Sequence, residues 1–368
     1  MATRAHQIKV LHYVWWKNGH INKLLDLMNS RAVVARQSKA LLPTSLLRIL
    51  VAPFSVLLYR ALGYRIIHLH WVAGHFRPAQ TRSELGASFY YLWFRIFLRC
   101  AHALGLKIVW TAHNVLPHDK VFPNDGEARK YLISHVDRVF ALNQTSAGEL
   151  HRKFNAQNVV TIPVAEVIPE PSKSREVTRA ELGLIETDIL FSHFGHIRRY
   201  KGTDKFLSAM SGIDEQAKFL VAGTPGPIDY MQSVHKLRAE AILAGIPLIY
   251  KEGFLLDDEL ANLIQASDFI VCPFDSINNS GFVNIAFAMG KPVILSNIPG
   301  LAWVPRNAAI WIEPSSDAVG LSQTLQNACR LTTEQVATIT SNAKDYIQNQ
   351  DWDAYVSAQV SVYEELVQ

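Results

Sequence analysis

Short apolar runs alternate with helical stretches along the chain. Five runs in the first half read as buried strands: KVLHYVW (9–15), RIIHLHW (65–71), KIVWTAHN (107–114), RVFALN (138–143) and NVVTIP (158–163). Helical patterns lie between them, GEARKYLISHV (126–136) among them. Continuous apolar strands separated by helices predict a parallel α/β sheet. Residues 164–187 break the rhythm, because Pro169 and Pro171 flank a polar run, and this predicts a linker. The alternation then restarts with DILFSHFGHI (188–197), KFLVAG (218–223), PLIYKEG (247–253), FIVCPF (269–274), PVILSN (292–297) and AIWIEP (309–314). The helices DDELANLIQAS (257–267) and SGFVNIAFAMG (280–290) fall between these strands, with Ser280 a good N-cap. The pattern predicts two doubly wound, Rossmann-like domains, 1–163 and 188–348, and a terminal helix, 349–368, returning to the first. Ligands bind such sheets at the carboxyl ends of the strands, so a cleft lined by both domains is expected.

Composition narrows the class. A chain of 368 residues suggests about two domains. With 49% apolar and 18% charged residues it is a folded protein. The net charge of +4 does not suggest a general nucleic-acid binder. Cys100, Cys272 and Cys329 are far apart, with neither metal spacing nor a disulfide framework, which fits a reducing compartment. The first twenty residues lack the apolar core and small-residue cleavage site of a signal peptide, so none is expected.

The charge is unevenly spread. Residues 31–110 hold eleven basic residues and one acid, Glu84, so this segment is +10 and the remainder −6. Two apolar stretches, 41–65 and 88–107, lie inside it. Neither reads as a membrane span: Pro53 interrupts the first, and Arg95 and Arg99 break the second. Apolar and basic faces on one helix instead fit a helix lying in an anionic membrane interface. Arg48, Arg60, Trp93, Arg95 and Arg99 are the candidates, and a pair of core helices is the alternative. No nucleic-acid motif accompanies the basic block.

Three segments of the second half carry a family resemblance: FGHIRRYKGTDKFL (194–207), EGFLLDDELANLIQASDFIVCPF (252–274) and PFDSINNSGFVNIAFAMGKPVILSNIPG (273–300). With TAHN in the first half, they resemble the GT-B glycosyltransferases, enzymes of two Rossmann-like domains that transfer sugars from nucleotide donors. The resemblance implies a donor site built from Gly195, Arg198, Lys201, Phe254, Asn278, Asn279, Ser280, Gly281 and Phe282. The chemistry agrees. A diphosphate leaving group needs donors aimed at its developing charge. Arg198, Arg199 and Lys201 sit after a strand beside Gly195 and Gly202, and Asn279 to Phe282 open a helix whose free N–H groups attract anions.

One departure matters. The common retaining members carry Glu-x(7)-Glu where this chain has Ile277 and Ile285, and Asp275 is the only acid between 269 and 296. The N-N-S-G variant, with HLHW and TAHNVLPH, is similar to the exopolysaccharide branch that includes the xanthan-type β-mannosyltransferases. Those enzymes invert and act on lipid-linked oligosaccharides. The resemblance implies a hexose donor, GDP-mannose first and a UDP-sugar second. It also implies a lipid-linked glycan acceptor and work at the cytoplasmic face of the inner membrane.

An inverting transferase needs a general base for the acceptor hydroxyl. His113, after KIVWTA, is the first candidate for a sugar-contacting or basic role, and Asp119 is the second candidate base. Asn114 and His118 fit positioning roles. His70 and Trp71 fit either acceptor-sugar binding or core packing. No zinc spacing and no D-x-D-like motif is present, so a metal is not implied. A retaining enzyme of the same fold, a catalytically silent sugar-binding subunit and a nucleotide-sugar epimerase are the alternatives.

Overall fold

The computed structural model describes residues 7–14, 18–31, 33–38, 45–72, 76, 83–117, 120–313, 317–348 and 350–368. They form two compact units. Met1–Ala165 with Asp351–Gln368 make the first, and Glu166–Gln350 the second.

The first unit alternates strand and helix: β1 (Ile8–Tyr13), α1 (Gly19–Asn29), β2 (Val33–Gln37), α2 (Ser45–Ala61), β3 (Ile66–Leu69), α3 (Glu84–Ala103), β4 (Lys107–Ala112), α4 (Asp125–Ile133), β5 (Arg138–Ala141), α5 (Gln144–Phe154) and β6 (Val159–Thr161). The six strands are parallel, in the order β2-β1-β3-β4-β5-β6. Successive strand residues feed opposite faces, as the pleat requires. Leu11, Ile67 and Trp110 pack under α2 and α3, while Val10, Ile66 and Val109 pack under α1. The sequence pattern did not disclose β2. It is a short edge strand, and its half-polar VVARQ lacks the apolar run of a strand buried on both faces.

The second unit repeats the scheme: α6 (Arg175–Glu181), β7 (Ile189–Phe194), α7 (Thr203–Ser208), β8 (Ala217–Gly223), α8 (Ile228–Leu243), β9 (Leu248–Glu252), α9 (Asp257–Ala266), β10 (Phe269–Cys272), α10 (Gly281–Ala288), β11 (Val293–Ser296), β12 (Ile310–Ile312), α11 (Ala318–Ala328) and α12 (Thr333–Gln348). Its parallel sheet runs β12-β11-β10-β7-β8-β9. A last helix, α13 (Trp352–Val367), packs on α1 and β1 of the first unit.

The segment read as a linker is corrected in one respect: residues 166–187 belong to the second unit and contain α6. Two arginines anchor this helix to the carboxylate of Asp268. Arg175 Nη2 lies 2.5 Å from Oδ1, and the buried Arg179 donates to Oδ2 at 2.9 Å.

The basic apolar block folds as α2 and α3 packed together. Pro53 lies inside α2 and cannot donate to the carbonyl of Ile49, one turn back. The indole Nε1 of Trp93, on α3, donates to that carbonyl instead, at 2.8 Å. Trp93 thus ties the two helices together while remaining partly exposed. Arg95 is likewise half-buried, its guanidinium 4.7 Å from the ring of Tyr131. Arg60 and Arg99 are exposed, and so are Phe54, Leu57, Leu58, Leu62, Phe89 and Leu92. The side chain of Arg48 lies outside the described residues. Among the described residues, no helix is long and apolar enough to cross a membrane.

Candidate active site

Strand order locates the working ends of both sheets. In the first unit the chain winds from β1 outward to β2, then returns to the other side of β1 with β3. In the second it winds from β7 to β8 and β9, then returns with β10 beside β7. Each reversal leaves a crevice at the carboxyl ends of the two central strands, where ligands of such sheets bind. The β1/β3 crevice and the β7/β10 crevice hold most of the chemistry foreseen from the sequence.

In the second unit, two loops pack on one another at the crevice. Gly195 follows β7 with φ +110°, and a Cβ at Gly223, ending β8, would lie 1.7 Å from the Gly195 carbonyl oxygen. Gly202 has φ +73°, and a Cβ there would lie 2.0 Å from the oxygen of Pro273, just after β10. Only glycine allows both the left-handed backbone and that approach. Lys205 Nζ lies 2.5 Å from Asp275 Oδ1, and the Asp275 N–H donates to the Tyr200 carbonyl at 2.9 Å, locking the loops together.

Between these fixed points stands Lys201. Its ammonium lies 4.7 Å from the centre of the Phe274 ring, and no carboxylate pairs with it among the described residues. Burial lowers its pKa. Arg198 is partly exposed, and Arg199 lies over Tyr230. Ser280 caps α10, its Oγ accepting from the N–H of Val283 at 3.4 Å. Gly281 and Phe282 open the helix, where N–H groups lack partners within the helix. Asn278 and Asn279 are half-buried just before them, and Phe254 is exposed after Gly253.

In the first unit, histidines fill the crevice. His12 is the last but one residue of β1, opposite His68 of β3, and His70 and His113 follow β3 and β4. They form a file. His113 Nε2 is 3.3 Å from His70 Nδ1, and His70 Nε2 is 3.0 Å from His12 Nδ1. The file ends at His12 Nε2, which is buried with no hydrogen-bond partner among the described residues. His68 lies beside it, its ring stacked 4.3 Å from that of His70. With Tyr363 of α13 donating to Gln359 Oε1, the Tyr363 oxygen accepts from His68 Nδ1 at 2.5 Å. His68 Nε2 then accepts from the Thr111 hydroxyl at 2.7 Å.

Burial pushes His12 and His113 down to about 3. His68 and His70 fall well below the usual imidazole value, first through burial and then through neighbouring histidines. The cluster is thus neutral at pH 7. His113 is half-buried, and its ring stacks on Trp71 at 4.1 Å. His70 is fully packed, while Trp71 is half-buried. Asn114 is half-buried beyond His113, and His118 and Asp119 lie outside the described residues.

The nitrogens of His12, His68 and His70 lie within 4.8 Å of one another, a set that could hold a metal ion. Spacing alone did not disclose it, because its members come from two strands. Apart from His12 Nε2, however, every ring nitrogen in the set is already within 3.3 Å of a partner. The titratable groups that act on His68 and His70 are other histidines rather than carboxylates. A metal ion there would have to displace those hydrogen bonds.

Residues 188–330 match the family described as glycosyl transferases group 1. The second unit therefore carries a group 1 glycosyltransferase domain. The chain is 25% identical over 251 residues to a GDP-mannose:glycolipid 4-beta-D-mannosyltransferase of Xanthomonas campestris pv. campestris. That alignment covers 67% of this chain and 64% of the relative, so it spans just under two thirds of the longer protein. A D-inositol 3-phosphate glycosyltransferase of Salinispora arenicola is 25% identical over 333 residues, 81% of this chain and 73% of its own. Solved structures match the whole fold. Sucrose-phosphate synthase from Thermosynechococcus elongatus has a TM-score of 0.76 at 16% identity, covering 98% of this chain and 99% of its own. Anabaena HepE in complex with UDP has a TM-score of 0.72 at 14% identity, covering 98% of this chain and all of its own. The fold is GT-B, with two Rossmann-like domains. The group 1 domain coincides with the unit that holds Lys201, Arg198 and the start of α10.

Proposed function

We propose that this protein transfers a hexose from a nucleotide-sugar to a lipid-linked glycan, with inversion, at the cytoplasmic face of a bacterial membrane. The observation that carries the donor half is Lys201: a half-buried lysine with no carboxylate partner among the described residues, at the β7/β10 crevice next to the loop that opens α10. A cation kept there without a counter-ion among the described residues awaits an anion, and the diphosphate of a nucleotide-sugar supplies one. In transfer, the acceptor oxygen forms a bond to the anomeric carbon while the bond to the diphosphate breaks. Arg198, Lys201 and the N–H groups of α10 stabilise the departing charge. GDP-mannose is the first donor to test, in keeping with the Xanthomonas relative, and UDP-sugars follow, since HepE binds UDP.

His113 fits a sugar contact better than a proton acceptor. A pKa near 3 makes it a weak base, and with Nε2 facing His70 it has Nδ1 left for a hydroxyl. Asp119 is then the carboxylate for proton removal. The exposed apolar residues of α2 and α3, with Arg60 and Arg99, support docking on an anionic bilayer.

The test is a thermal-shift screen of GDP, UDP and their sugars. A ligand at about 100 times its dissociation constant adds roughly 2.7 kcal/mol of stability. Stabilisation by one nucleotide class identifies the donor base, and stabilisation by none rejects the donor site. With a lipid-linked acceptor, an α-linked product from an α-linked donor would reject inversion.

A further inference from the structure

A nucleotide-sugar presents two kinds of group, an anionic diphosphate and neutral hydroxyls. Cations and N–H groups serve the first. Hydroxyl hydrogens need acceptors, and a carboxylate offers two oxygens side by side. Asp275 is the only acid between 269 and 296, and Lys205 and the Tyr200 carbonyl hold it in the loop packing.

A second carboxylate reaches the start of α10 from far upstream. A Cβ at Gly281 would lie 2.5 Å from Glu166 Oε1, 2.8 Å from its Cδ and 3.1 Å from Oε2. The whole carboxylate thus stands where any side chain at 281 would begin. Glu166 opens the second unit, so the approach is internal to one folded body. Burial pushes its carboxyl up to about 7.

We propose that Glu166 is the hydroxyl-binding carboxylate of the donor site, accepting hydrogen bonds from a vicinal diol of the nucleotide-sugar. The inference rests on the glycosyltransferase reading of the same site. The diol belongs either to the ribose or to the hexose, and the ligands of the test separate the two.

The experiment is calorimetric titration of the full chain and its E166Q and G281A variants with GDP, UDP, GDP-mannose and UDP-glucose at pH 8. Glu166→Gln keeps the shape of the side chain and removes its charge. It should weaken binding about tenfold, roughly 1.4 kcal/mol. Loss toward both nucleotide and nucleotide-sugar assigns the ribose, and loss toward the nucleotide-sugar alone assigns the hexose. Gly281→Ala should displace the carboxylate and weaken binding similarly, and the double variant should lose no more than either single one. Unchanged affinities in E166Q, or additive losses in the double variant, overturn the proposal. If wild type binds none of the four ligands, the donor-site reading itself fails.

Discussion

On the proposed reading, Lys201 is a residue whose place costs stability and whose use lies in a ligand. Removing a half-buried ammonium that has no carboxylate partner among the described residues should leave the fold no weaker, so Lys201→Ala should keep or raise the melting temperature. It should still weaken nucleotide binding by about 1.5–3 kcal/mol, the range for hydrogen bonds to charged groups. Unchanged affinity in calorimetry would remove Lys201 from the site. His113 poses a sharper question. As a sugar contact, its loss in His113→Ala should lower kcat/KM by about tenfold, one hydrogen bond's worth. Asp119→Asn should lower kcat by about 10²–10⁴-fold, as loss of a general base does. If His113→Ala shows the larger loss and abolishes the pH dependence of kcat, the two roles are exchanged.

At the scale of elements, α6 is held by charge rather than by an apolar face. Asp268 receives both Arg175 and Arg179, and its Oδ2 also accepts from the Leu190 N–H at 2.8 Å. Arg179→Ala leaves that carboxylate with a lost partner in a half-buried place, and urea unfolding should show a loss of about 3 kcal/mol. The exposed faces of α2 and α3 behave differently. Leu57→Asp with Leu92→Asp should leave stability nearly unchanged but release the protein from anionic liposomes in a sedimentation assay. If wild type never sediments with such liposomes, the membrane reading fails. Elements like these differ in how far the sequence discloses them. The central strands β4, β7 and β10 are buried on both faces, so they read as unbroken apolar runs. Ser280 announces α10 through its capping chemistry. By contrast, β2 carries Arg36 and Gln37 at an edge, and α6 hides in a polar run because its partner Asp268 is far along the chain. The donor loops were legible because Gly195, Lys201 and Ser280 act close to their neighbours in sequence. The file through His12 and the approach of Glu166 to Gly281 were not, since each joins segments that only the strand order brings together.

For the whole molecule, the histidine crevice sets an acid limit. His12 has a folded pKa of about 3 against 6.5 for an ordinary imidazole. The unfolded chain therefore binds more protons between these values, and stability falls as pH drops below 6.5. At pH 5 His12 alone would cost about 2 kcal/mol. Thermal melts from pH 7.5 to 5 should show this loss, and His12→Phe should reduce it by about the His12 share while the other buried histidines keep the rest. A melting temperature constant to pH 5 would show that the crevice admits water and charge. The route of the chain has a further consequence, for the order of events during synthesis. The second unit is one unbroken stretch, whereas the first is closed by α13, whose Tyr363 meets His68. Residues 8–165 of the first unit thus leave the ribosome well before residues 351–368, which complete it. Until they emerge, the β1 side of the first sheet exposes the apolar surface that α13 covers. The nascent chain then passes through a half-finished stage in which a chaperone has one specific apolar strip to hold.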